Sequence, residues 1–148
     1  MTTTTSARPD VETPAQSAGS STLFTSLVGL TALAVLLQGL FAGVFLEHDG
    51  ERDASGSWID AHANGAHAAT LLAIAAAVVA FVKLRDRRSL VVGSALLALL
   101  LLVESFIGGL IRDQSKDTLT VVHVPLAMAV MGVTVWLSAK AAHLRRSA

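Results

Sequence analysis

The sequence predicts an all-α integral membrane protein: a single four-helix bundle running up-down-up-down, with both termini in the cytoplasm. Three observations carry that expectation. The 148 residues are 53% hydrophobic and 15% charged, against roughly 25% charged in ordinary soluble domains, so there are too few charges to coat a water-facing surface. Four apolar stretches, about 23–46, 59–84, 90–111 and 119–142, are each long enough for a helix to cross a hydrocarbon core of about 30 Å. The loops between them are short, which favours antiparallel neighbours.

Residues 1–21 are rich in Thr, Ser, Ala and Pro and nearly devoid of bulky apolar side chains. Such a segment buries too little surface to offset its ordering entropy, and the expectation is a disordered cytoplasmic tail ahead of a membrane domain spanning 22–142. The first span contains Gly39 and Gly43 in a G-x-x-x-G spacing, and the third pairs Ser105 with Gly109. Small residues so spaced let helix backbones approach closely in lipid. The second span opens with Ser57-Trp58-Ile59-Asp60, which has the form of a capping box, and its alanine run from Ala73 to Ala80 suits the centre of a tight bundle. Asp117 is a candidate N-cap for the fourth span. Pro125 within that span would free the carbonyl of Val121 and kink the helix, unless it merely opens the first turn. Residues 143–148 form a basic cytoplasmic tail.

Orientation follows from lysine and arginine. The N-terminal tail, the second joint and the C-terminus hold Arg8, Lys83, Arg85, Arg87, Arg88, Lys140, Arg145 and Arg146, whereas the first and third loops hold Arg52, Arg112 and Lys116. This places the chain as a multi-pass protein of the cell inner (plasma) membrane. Formal net charge is zero, which excludes the basic excess of a nucleic-acid binder. The absence of cysteine excludes thiolate zinc sites, iron–sulfur clusters, disulfides and covalent c-type haem attachment.

The residues a bilayer penalises are few: Gln38, His62, Asn64, His67, Glu104 and His123, all in the outer halves of their spans. Ionisable groups in such positions usually face a bundle interior. Counted from the expected caps, His62 is five residues in and His123 six. Two imidazoles at one depth on the second and fourth helices can bind a haem iron from opposite sides. Counted from Lys83 and Lys140 instead, His67 at sixteen residues matches His123 at seventeen, so His67 stands as the alternative ligand. His62 and His67 point about 140° apart on a helix and cannot share one partner. Each histidine has a plainer reading as a hydrogen-bonding residue of the helix interfaces. Glu104 has two as well: a proton-relay carboxylate, or a structural partner for Arg112, His67 or Gln38.

At these residues the sequence resembles a known family. The stretch LLALLLLVESFIGGLIRDQSKDTLTVVHVPLAMAVMGVTVWLSAKA, with WIDAHANGAHAATLLAIAAAVVAFV and LLQGLFAGVFLEHDG before it, resembles one four-helix half of the haem A synthase family, over residues from about 30 to 140. It is also similar to small uncharacterised actinobacterial four-helix membrane proteins in which a His-x-x-Gly-Ala segment opens the second helix, here His62-Ala63-Asn64-Gly65-Ala66. The resemblance implies b-type haem between the second and fourth helices, with His62 and His123 as its axial ligands. It does not imply the family's hydroxylation chemistry. The chain has one bundle where the synthase has two, Ile59 and Ala63 stand where the family has an acid and an arginine, and the outer-loop cysteines of many members are missing.

The functional expectation is therefore a small membrane protein binding haem b through His62 and His123 for electron transfer or haem handling, with Gln38 and Glu104 supporting the site. The alternatives are a cofactor-free structural or assembly protein and a proton or small-solute path through Glu104. Expected partners are the bilayer and either a redox partner or a second copy of the chain.

Overall fold

The computed structural model describes residues 14–47 and 52–146. Among these it is all-helical: α1 (Pro14–Glu47), α2 (Arg52–Lys83), α3 (Arg88–Gln114) and α4 (Thr120–Arg146), with a single 3-10 turn at Asp117–Leu119 leading into α4. Each of the four contains a stretch long and apolar enough to cross a membrane: Ser21–Val44, Gly56–Lys83, Arg88–Gln114 and Asp117–His143. The expected spans overlap these four helices. Their surroundings differ from expectation. Residues 14–21 of the segment read as a tail belong to α1, and residues 1–13 lie outside the described part.

Two expected helix starts are corrected. Ser57 and Asp60 are not a capping box, because α2 already begins at Arg52 and passes through them. Asp117 opens a 3-10 turn instead of standing directly before α4, and Thr120 carries the chain on into α4. Pro125 sits inside α4 rather than in its first turn. The α2–α3 connection is the tight basic turn expected, closed by Arg87 N–H donating to the Leu84 carbonyl at 2.9 Å. At the far end of α3, Ser115 adopts the left-handed conformation (φ 52°, ψ 37°), and the N–H of Lys116 returns to the carbonyl of Leu110 at 3.3 Å. That is how a helix ends when its last carbonyls must be satisfied.

Around the bundle α1 packs on α2, α2 on α3, α3 on α4, and α4 back on α1. The two diagonal pairs make no close backbone approach among the described residues. On α2, Ala69, Ala73, Ala76 and Ala80 are buried at helical spacing, so the alanine run forms an inward stripe. It faces both neighbours and does not make α2 a central helix.

The opposite faces are apolar too: Leu71, Phe81, Phe106, Val121 and Met128 are each about two-thirds or more exposed, as suits a surface in contact with lipid. Lipid is as apolar as leucine, so close packing and hydrogen bonds hold the helices together rather than exclusion of water. The buried hydroxyls satisfy themselves locally. Thr31, Ser94 and Thr134, all fully buried, donate to the carbonyls of Leu27, Leu90 and Val130 at 2.7–2.8 Å. This four-residue back-bonding removes the penalty of an unpaired polar group.

Gly39, Gly43 and Gly109 have nothing within 4 Å of where a Cβ would stand. The G-x-x-x-G of α1 is therefore not a contact within the bundle, whereas Ser105, one turn before Gly109, does meet its neighbour: its hydroxyl lies 3.1 Å from that of Thr70 on α2.

Candidate functional site

All four helices contribute to a polar cluster inside this apolar bundle. His62 of α2 and His123 of α4 approach across the diagonal, with ring centroids 6.4 Å apart and ring planes at 68°. Glu104 of α3 is buried at 7% exposure. His67 is exposed on the outer side of α2, as the 140° separation from His62 requires. The structure thus brings together His62, His123 and Glu104, adds Gln38 from α1, and leaves His67 apart.

Each imidazole meets another helix through Nδ1. His62 Nδ1 lies 3.2 Å from the backbone carbonyl oxygen of Gln38. A carbonyl only accepts, so Nδ1 carries the proton and donates it, and Nε2 keeps its lone pair. His123 Nδ1 lies against Oε2 of Glu104, a close contact that is not a hydrogen bond, since both atoms are buried without a hydrogen-bond partner. Neither Nε2 makes a hydrogen bond among the described residues. The partner found for Glu104 is one that sequence reasoning missed: Arg112 instead pairs with Asp113 at 2.7 Å, and His67 and Gln38 are not its partners. The other carboxylate oxygen of Glu104, Oε1, is buried without a hydrogen-bond partner.

Two glycines shape the cluster. A Cβ on Gly65 would run into the side-chain amide of Gln38. One turn of α2 therefore offers His62 to the Gln38 backbone and, three residues later, a bare surface to its side chain. The Gln38 amide donates weakly to Ala34 at 3.4 Å, and its Oε1 is buried and unpaired. On α3, a Cβ on Gly108 would stand 3.4 Å from Cε1 and 4.0 Å from Nε2 of His123, so this edge of the ring packs against α3 at ordinary contact distance. The signal for Gly65 was present in the His-x-x-Gly spacing. Gly108 carried no mark of its own beside Gly109.

Among the described residues no three His, Cys, Asp or Glu side chains converge as a metal-ligand set. The two imidazoles, with ring centroids 6.4 Å apart, could instead hold a metal carried in a macrocycle, which asks the protein for few ligands. The donation of His62 Nδ1 to a backbone carbonyl is a pattern found in metal-bound histidine. No protein-family model, curated protein or solved structure matches the chain.

Proposed function

We propose that this membrane protein binds b-type haem between α2 and α4, where His62 and His123 would hold it, and serves in electron transfer or haem handling. The observation that carries the proposal is the approach of these two rings to 6.4 Å, with His62 Nδ1 donating to the Gln38 carbonyl and His123 Nδ1 in contact with Glu104. When bound, the haem would supply one-electron chemistry at its iron. The chain's own residues do the positioning. The Gln38 carbonyl fixes the His62 tautomer, Glu104 orients His123, and Gly108 packs against the His123 ring.

The proposed course is up-down-up-down, with both termini cytoplasmic in the plasma (inner) membrane. Contacts at two levels support the antiparallel run of α3 and α4: Gly93 packs on Trp136 and Gly108 on His123. The lysine and arginine bias of the α2–α3 turn and of the C-terminal end supports the orientation.

The test is the visible spectrum of the full chain purified in detergent from a haem-replete host. The expected result is a Soret band that shifts on reduction and is lost in both His62→Ala and His123→Ala. No Soret band in either redox state overturns the haem reading and favours the cofactor-free one, in which Glu104–His123 and Thr70–Ser105 only tie helices together.

A further inference from the structure

A second feature lies at the opposite end of the bundle from the histidines. Between α3 and α4 runs an apolar groove of about 360 Å³, lined by Ser89, Gly93, Leu96, Gly132, Val133 and Trp136. Its origin is the placement of a glycine on each wall. Gly132 has nothing within 4 Å of its Cβ position, while the Trp136 ring lies directly over Gly93 and leaves no room for a side chain there. Along α3 the groove extends from Ser89 to Leu96, about 10 Å at the helical rise. It opens on the outer face of the bundle, among lipid-facing Val92, Leu96 and Val135.

The mouth of this groove is cationic. One turn beyond Trp136, the Lys140 ammonium stands 5.9 Å from the indole centroid, a cation–π distance, and it has no carboxylate partner among the described residues. Ser89, at the groove's end on α3, follows Arg88 and the turn bearing Lys83, Arg85 and Arg87. Asp86 is the one acid in that turn, and it is held by Arg87 at 3.2 Å. A second groove between α2 and α3, lined by Ile74, Ala77, Phe81, Val91, Ala95 and Ala98, makes a useful contrast: among the described residues no cation is stacked on its aromatic wall.

We propose that the α3–α4 groove is a binding site for one anionic diacyl phospholipid, with an acyl chain along Gly132 and Trp136 and the headgroup phosphate at Lys140. The chemistry divides along the groove. An apolar cleft with glycines on its walls takes a hydrocarbon chain without selectivity, and the unpaired ammonium at its mouth selects a negative headgroup. Basic pockets between transmembrane helices on the cytoplasmic side recognise anionic headgroups in this way. The site is far from the polar cluster and does not depend on haem.

Trp136 lines the groove and reports on it. The chain has two tryptophans, and Trp58→Phe leaves Trp136 alone while keeping an aromatic ring against Phe41. The experiment titrates that full-length variant in mixed micelles with phosphatidylglycerol or phosphatidylcholine carrying the same brominated acyl chains. One basic residue near the headgroup is worth about 1 kcal/mol, so saturable quenching by phosphatidylglycerol is expected at about fivefold lower mole fraction. Lys140→Gln should bring the two lipids together. Gly132→Leu, whose Cβ has nothing within 4 Å, should fill the cleft and abolish saturable quenching by both. Equal quenching by the two lipids before any change at Lys140, or a preference that survives Lys140→Gln, overturns the proposal.

Discussion

His62 and His123 face each other at a ring-centroid separation of 6.4 Å, although the helices that carry them have no close backbone approach. The diagonal is spanned by the side chains, and each is braced from a third or fourth helix: His62 by the Gln38 carbonyl on α1, His123 by Glu104 on α3. All four helices therefore converge on one pair of rings.

The first prediction separates the two candidate ligands on α2. His62→Ala should abolish the haem spectrum, whereas His67→Ala should leave it unchanged, because His67 is exposed on the far side of the helix. Visible spectra of the two variants, purified side by side, decide it. A band lost only in His67→Ala would mean that α2 is rotated relative to the present structure.

Glu104→Gln should lower haem affinity by roughly tenfold, the lower range for loss of a second-shell carboxylate, while the bundle stays folded because the amide keeps the shape of the carboxylate. Glu104→Leu should be worse on both counts. It leaves buried His123 Nδ1 without the polar group it contacts, at a cost of about 1–3 kcal/mol. Haem titration together with thermal unfolding in detergent separates the two effects.

Two glycines of α3 should respond in opposite ways to the same change. Gly93→Leu forces the Trp136 ring away and crowds Leu137, and overpacking of this kind destabilises by about 1–3 kcal/mol. At Gly109 a Cβ has nothing within 4 Å, and Gly109→Leu should leave the thermal midpoint unchanged or raised. Trp136 emission should shift in the first variant alone.

Ser115 is the described non-glycine residue with positive φ. Ser115→Gly removes the Cβ penalty of that conformation, and a stabilisation of about 0.5–1 kcal/mol is expected. Thermal unfolding of the variant against the parent measures it.

Because the chain has no cysteine, single cysteines report topology directly. With the proposed orientation, Gln114→Cys reacts with a membrane-impermeant maleimide on intact cells, and Asp86→Cys reacts only after permeabilisation. The reverse pattern would invert the bundle.

The four helices and their approximate limits were legible in the residues from the start. A transmembrane helix meets its backbone hydrogen bonds within its own segment, so a run of some twenty apolar residues carries its own instruction. The basic turn at 83–88 was equally local. Helix starts were less legible: Ser57-Trp58-Ile59-Asp60 has the composition of a cap, yet the helix runs through it from Arg52, because an N-cap pattern does not compel a helix to begin.

Which face of each helix turns inward was not written in the spans, since α1 and α2 are apolar nearly all round and carry no amphipathic stripe to mark the inner side. Helix rotation is set by the neighbours: the alanine stripe of α2, the Thr70–Ser105 contact, the bare surfaces at Gly65, Gly93 and Gly108. Packing turned His62 toward His123 and His67 away, and it gave Glu104 to His123 when the residue spacing had offered Arg112. Residue types and depths were a property of the chain; the contacts of the two Nδ1 atoms arose only when four helices met, because the partners lie on different helices and no periodicity along one of them records the other.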